Sequence, residues 1–187
     1  MLNGCYTALM TPFKDNDVDY EGLIRLVEFQ IAGGVSGILA VGTTGESPTL
    51  TWVEHNEVIK SVAEICKGKC MSIAGTGSNN TQETLESTEH AVQVGADAAL
   101  LTDPYYNGPS SLEIRREYVA PVAERFSQIQ VIPYVIPGRT GTQLLPEDLA
   151  ILHKKFDNMT AVKEATGNIE NMRDEGVLWT RLYYPFG

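Results

Sequence analysis

Gly37-Ile38-Leu39-Ala40-Val41-Gly42-Thr43-Thr44-Gly45-Glu46-Ser47 is the stretch that decides how this chain folds. Its first five residues form a near-continuous apolar run, as expected for a parallel strand covered on both faces. The six that follow carry chemistry. Gly42 and Gly45 permit tight turns and bring backbone N–H groups close to an anionic ligand, and Thr43 and Thr44 add hydroxyls. The loop lacks the lysine of a phosphate-binding P-loop, and a Gly-Thr-rich loop alone specifies little. A strand that opens at its C-terminal end onto a polar loop is the unit to look for elsewhere.

Working outward, that unit recurs about every thirty residues, the spacing of a strand–helix–strand repeat. Further β-rich runs stand at residues 6–11, 71–75, 98–103, 129–136 and 159–164. Helical patterns lie between them. Residues 20–32 place Leu23, Leu26, Val27 and Ile31 on one stripe, and residues 52–66 do the same with Val58, Val62 and Ile65 after Thr51, a candidate N-cap. Residues 81–94, 111–126 and 146–156 follow, the last opening on Pro146, whose missing N–H costs nothing in a first turn.

Serial βαβ units imply a parallel sheet, either doubly wound and open or closed as a (β/α)8 TIM barrel. A dinucleotide-binding open sheet should carry G-x-G-x-x-G after its first strand, and Met10-Thr11-Pro12-Phe13 carries no such loop. The polar segments instead follow strands two to six at their C-terminal ends, where every loop of a barrel faces one mouth. The expected fold is therefore α/β, a (β/α)8 barrel. Such a barrel takes roughly 250 residues, whereas this chain has 187 and about six βα units.

The formal net charge of −10 argues against nucleic acid, whose phosphates need a basic surface. No run approaches the ~20 apolar residues that span a bilayer. Met1 to Phe13 lacks the basic start and apolar core of a secretory signal, so a cytoplasmic location is expected, without membrane attachment. Cys5, Cys66 and Cys70 are odd in number, and no histidine stands near the Cys66/Cys70 pair at a zinc-ligand spacing. Reduced thiols and no metal site follow.

Five residues stand out chemically. Lys163, in Thr160-Ala161-Val162-Lys163-Glu164-Ala165, shares a strand face with Ala161 and Ala165. Desolvation there would lower its pKa and free the amine to attack a carbonyl; pairing with a carboxylate is the plain alternative. In the preceding strand Tyr134 alternates with Ile132 and Ile136, and a phenol beside an imine nitrogen can shuttle protons. A core tyrosine satisfied by backbone is its plain reading. Asp103-Pro104-Tyr105-Tyr106-Asn107 sets two phenols at the rim. Arg139 offers a fork for a carboxylate, although most such arginines only meet solvent.

Together these segments form an ordered set. Gly42-Thr43-Thr44-Gly45-Glu46-Ser47, Ala74-Gly75-Thr76-Gly77, Pro104-Tyr105-Tyr106-Asn107, Tyr134, Arg139-Thr140-Gly141 and Val162-Lys163-Glu164-Ala165-Thr166-Gly167-Asn168 resemble the dihydrodipicolinate synthase branch of the pyruvate-dependent lyase family. The resemblance implies that Lys163 forms an imine with pyruvate, whose enamine attacks the aldehyde of aspartate semialdehyde. The product would be hydroxy-tetrahydrodipicolinate, on the diaminopimelate route to lysine. It further implies a proton relay of Tyr134, Thr44 and Tyr106, with Tyr105 lent across a dimer interface. Thr43 would hold the pyruvate carboxylate and Arg139 that of the aldehyde. The imine would need no metal or organic cofactor, and the assembly would be a homo-oligomer, a tetramer as usual in the family. Feedback by L-lysine would occupy a cleft resembling Ser47, Pro48, Trp52, His55, Asn79, Glu83 and Tyr105; solvated helix residues are the plain reading of His55 and Glu83.

Sialic acid lyases and sugar-acid aldolases share the lysine and tyrosine, but typically lack the arginine before Thr-Gly. Val135, where many synthases have asparagine, departs from the pattern without touching a catalytic group. The pattern covers residues 1–168 as the N-terminal part of a barrel and is lost over 169–187, a divergent tail. The apolar, aromatic stretch 177–186 could pack over one sheet edge. A non-catalytic fragment, folded only with a partner or through self-association, is the alternative of a different class.

Overall fold

The computed structural model describes residues 3–178. Six parallel strands form one sheet: β1 (Tyr6–Ala8), β2 (Gly37–Ala40), β3 (Met71–Gly75), β4 (Ala98–Thr102), β5 (Gln130–Val135) and β6 (Lys163–Glu164). Their spatial order follows their sequence order, β1 through β6. A doubly wound sheet must reverse its strand order at a switch point, and this sheet never does. It is the curled, sequential sheet of a (β/α)8 barrel, with β1 and β6 at its edges among the described residues.

The near-continuous apolar runs divide between the two faces with period two. Leu39, Ile73, Ala98, Leu100, Ile132, Tyr134 and Ala161 gather on the concave inner face. Ile38, Ala40, Ala74, Ala99, Leu101, Val131, Val135 and Val162 face outward into the larger core shared with the helices. Both faces are buried, which is why the strands read as unbroken apolar runs rather than alternating ones.

Each helix begins where its capping residue dictates. α1 (Tyr20–Ala32) is capped by Asp19, whose carboxylate accepts from Gly22 N at 2.9 Å. α2 (Trp52–Cys66) opens with a capping box in which Thr51 and Glu54 satisfy each other's backbone N–H. Asn80 caps α3 (Thr81–Gln93), and α5 (Pro146–Lys155) starts at its proline. α6 (Ile169–Leu178) lies against α5 and occupies much of the expected tail; residues 179–187 of that stretch fall outside the described residues.

The expected helix over 111–126, α4 here, is not uniform. A short α segment (Ser111–Glu113) runs into a π-helix (Ile114–Val119) and then α-helix again (Ala120–Arg125). Pro121 lies at the join and has no N–H to offer the carbonyl four residues back. That carbonyl, Glu117 O, accepts instead from Thr81 Oγ1 at 3.0 Å, so the wider turn costs no unpaired group there.

Two other elements differ from expectation. A hairpin of Phe13–Lys14 and Asp17–Val18 precedes α1, turning through Asp15 and Asn16, both at positive φ (54° and 72°). Two left-handed residues make the tight turn that suits antiparallel strands, and Asp and Asn tolerate it. The expected strand 159–164 narrows to Lys163–Glu164. Asn158 just before it is held by three carbonyls, of Ala123, Phe126 and Ile129 (3.0–3.2 Å), which pins the chain there before pairing with β5 resumes.

Candidate active site

The loop after β2 folds as two 3-10 turns, Thr43–Gly45 and Ser47–Thr49, joined by Glu46 in the left-handed region (φ 57°). Thr11 Oγ1 donates to Gly45 O at 2.7 Å and ties this loop to the end of β1. Val41, at the exit of β2, is buried and held at φ 46°. A β-branched residue at positive φ is strained by roughly 1–3 kcal/mol, and the packing around it must hold it there. Its carbonyl fills the space that a side chain on Gly75 would need: an ideal Cβ there would stand 2.5 Å from Val41 O.

These turns wall one side of a cavity of about 440 Å3 at the C-terminal ends of the strands. Ser47, Pro48, Trp52, His55, Asn79, Glu83 and Tyr105 all line it, together with Thr43 and Arg139. The residues singled out as an inhibitor cleft are therefore contiguous. His55 is buried, packs edge-on against Trp52 (ring centroids 5.0 Å apart), and exchanges a hydrogen bond between Nε2 and Ser47 Oγ (3.2 Å). Burial pushes its pKa down to about 4, so the ring is neutral near pH 7. Glu83 is half-buried and accepts from Ser78 Oγ at 2.6 Å, which holds its carboxylate at the wall. Arg139, exposed in a short helix (Pro137–Thr140) after β5, brings the opposite charge to the same cavity.

Lys163 and Tyr134 are cross-strand partners in the β5–β6 register. Both stand on the inner face, and Lys163 Nζ lies 4.2 Å from the centroid of the Tyr134 ring. Burial lowers the lysine's pKa from its ordinary 10.5. Neither residue lines the cavity of Thr43 and Arg139. The rest of the expected relay is placed differently again. Thr44 is exposed, and Tyr106 is 91% exposed with φ 78°. Tyr105, expected to reach outward across an interface, is half-buried and lines its own chain's cavity.

Two supporting groups escaped the sequence reading. Tyr118, on the π-helix, is buried; its hydroxyl donates to Thr102 O (2.9 Å) and accepts from Ser78 N (3.2 Å), joining α4, the loop after β3 and the end of β4. Burial raises its pKa well above 10. Asp103, which follows β4 on its outer side, is fully buried. One carboxylate oxygen accepts from Leu144 N at 2.9 Å, while Oδ1 has no hydrogen-bond partner among the described residues. Burial, with Glu164 close by and opposed by the Leu144 bond, pushes its pKa up to about 7. Nothing in the sequence flags Tyr118 as special. Asp103 had a faint signal, as a lone acid ending an apolar strand.

Comparison with known proteins bears on the chain as a whole. The model of the dihydrodipicolinate synthetase family matches residues 1–178. The 4-hydroxy-tetrahydrodipicolinate synthase of Geotalea daltonii is 50% identical over 170 residues, 91% of this chain and 58% of that protein. The lysine-bound dihydrodipicolinate synthase of Cyanidioschyzon merolae superposes with a TM-score of 0.91 at 36% identity, covering 97% of this chain and 63% of that one. The chloride-inhibited enzyme of Acinetobacter baumannii, complexed with pyruvate, gives 0.91 at 38% identity over 98% and 64%. This chain thus spans about six-tenths of the length of the proteins it matches. Motif order, sheet order and overall match agree, and the chain belongs to the dihydrodipicolinate synthetase family.

Proposed function

We propose that the chain carries the Schiff-base half of a 4-hydroxy-tetrahydrodipicolinate synthase, a lyase of the diaminopimelate route to lysine. The observation that carries this reading is Lys163: an amine on the inner barrel face, at the C-terminal end of its strand, with its pKa lowered by burial. Its free amine attacks the keto carbon of pyruvate, and loss of water gives the imine. Removal of a methyl proton yields the enamine, which adds to the aldehyde carbon of aspartate semialdehyde. The amino group of the adduct then displaces Lys163 as the ring closes. The imine is itself the electron sink, so this route calls for no metal or organic cofactor.

The Tyr134 hydroxyl, on the neighbouring strand, is placed to shuttle protons during carbinolamine formation and dehydration. Thr43 and Arg139, which line the same cavity, supply hydroxyl and guanidinium to substrate carboxylates. Thr44 joins the relay with Tyr106. The exposure of the Tyr106 ring favours it, rather than Tyr105, as the tyrosine shared with a neighbouring subunit in a homo-oligomer. L-Lysine as an inhibitor fits the cavity in charge: Glu83 faces its α-amino group, while Ser47, His55 and Tyr105 supply neutral hydrogen-bonding groups to its carboxylate. The odd number of cysteines, which no set of intrachain disulfides can pair completely, accords with a cytoplasmic setting.

Incubation with pyruvate and borohydride tests the reading. One reduced pyruvyl group should be found on Lys163, and a label on another lysine refutes the assignment. A second reading, a non-catalytic fragment folded only with a partner or through self-association, is favoured by the sheet edges at β1 and β6, which pair with no further strand among the described residues. Trapping without turnover, together with self-association, would select it. Efficient turnover of a sugar acid would move the chain to the aldolase branch instead.

A further inference from the structure

At the N-terminal ends of the strands, opposite the mouth, α2 gives way to β3 through Cys66-Lys67-Gly68-Lys69-Cys70. Lys67 (φ −51°, ψ 119°) and Gly68 (φ +74°) have the angles of a type II turn, which needs glycine at the second central position. Lys69 N and Cys70 N both donate to Cys66 O, at 2.8 and 3.1 Å. A five-residue turn closed in this way brings its end Cα atoms to roughly 6 Å, inside the ~4.4–6.8 Å span of a disulfide. The two thiols are also near enough for Cys70 to help raise the pKa of Cys66.

The two thiols differ in access. Cys66 is fully buried, and burial with the neighbouring Cys70 pushes its pKa up to about 12. Cys70 is half-buried and lines an open surface recess with Lys67, Lys69 and Asp97. A reagent can therefore arrive at Cys70 and not at Cys66. The recess and the catalytic mouth lie at opposite ends of the sheet.

We infer that Cys66 and Cys70 form a redox modification site, oxidised by a low-molecular-weight disulfide to an intrachain disulfide that clamps α2 to β3. The Cys70 thiolate attacks one sulfur of glutathione disulfide, forming a mixed disulfide and releasing one glutathione thiolate. Cys66 then attacks the Cys70 sulfur, its proton passing to solvent as the second glutathione leaves. Two protein thiols lose two hydrogens, and one glutathione disulfide becomes two glutathiones.

The turn supplies its own assay, since trypsin cuts at both Lys67 and Lys69. The chain carrying Cys5→Ser is equilibrated with glutathione disulfide and glutathione, quenched, alkylated and digested. Residues 61–67 and 70–115 should then appear joined, two hydrogens lighter than the free peptides together. Cys66→Ser should stop at one glutathione on Cys70, and Cys70→Ser should leave Cys66 unmodified until the chain is denatured. Alkylation of both cysteines under strongly oxidising ratios overturns the inference. So does a stable glutathione adduct on Cys70 while Cys66 is present, or native-state modification of Cys66 in Cys70→Ser.

Discussion

Lys163 Nζ sits over the face of the Tyr134 ring, 4.2 Å from its centroid, and the two residues are register partners on adjacent strands. Two effects compete at that nitrogen. The negative face of the ring favours the ammonium by about 0.5–2 kcal/mol, whereas burial disfavours it. Burial lowers the lysine's pKa from its ordinary value. On the proposed Schiff-base route the neutral amine is the nucleophile, so trapping of pyruvate by cyanoborohydride should rise with pH at a midpoint below 10.5. Tyr134→Phe keeps the ring and should preserve this titration, while turnover falls about 10²–10⁴-fold for want of the hydroxyl. Equal loss of trapping and turnover in Tyr134→Phe would contradict a proton-shuttle role.

Arg139→Ala should separate the two substrates. A charged hydrogen bond is worth about 1.5–3 kcal/mol, so kcat/KM for aspartate semialdehyde should drop roughly 10- to 150-fold. Imine formation with pyruvate should change little. Arg139→Lys should recover only part of the loss, because an ammonium cannot reproduce the two-pronged fork. Steady-state kinetics beside borohydride trapping reads both halves of the reaction.

The wall of the mouth cavity predicts how an amino-acid inhibitor responds to pH. His55 titrates at about 4, so it remains neutral and contributes no change in lysine affinity between pH 6 and 8. In the proposed lysine site Glu83 supplies the charge, so Glu83→Gln should weaken lysine binding at least tenfold by calorimetry, through loss of a charge-assisted bond. An affinity that moves with a pKa near 6, and disappears in His55→Gln, would reassign the charge to the histidine.

Asp103 should make stability depend on pH in the direction opposite to a paired carboxylate. Its folded pKa, about 7, lies above the ordinary 3.8. The protonated form therefore stabilises the native state fully below about pH 4, and that contribution is lost as pH rises through 7. The full swing is on the order of 4 kcal/mol. Urea midpoints should fall between pH 5 and pH 8, and Asp103→Asn should flatten that slope and raise the midpoint at pH 8. A slope unchanged in Asp103→Asn would place the titrating group elsewhere.

The parts of the fold legible in the sequence were those set by local chemistry. Thr51 and Glu54 announce α2, Pro146 announces α5, and unbroken apolar runs announce strands buried on both faces. What escaped depends on partners distant in sequence. Nothing near Ile114 says that Thr81 will take up the carbonyl left by Pro121, so the π turn and the hub at Tyr118 were invisible. Tyr105 and Tyr106 are chemically identical, and only the left-handed backbone of Tyr106 decides which ring faces the cavity and which faces solvent. The pairing of Tyr134 with Lys163 was legible because adjacency of consecutive strands and a period of two suffice to derive it.

Part of the mouth cavity is walled by main chain alone. A Cβ on Gly75 would stand 2.5 Å from Val41 O, and one on Gly77 would stand 2.3 Å from Thr102 N. Backbone cannot retreat as a side chain can, so neither position accepts a larger residue without shifting a strand. The girth of an admissible guest is therefore inherited with the scaffold, while its charge pattern is set by replaceable neighbours such as Glu83 and Arg139. Mutational drift at this mouth can change which ions are welcome far more readily than how large they are. Attempts to re-engineer it for bulkier guests should begin with the strands rather than the rim.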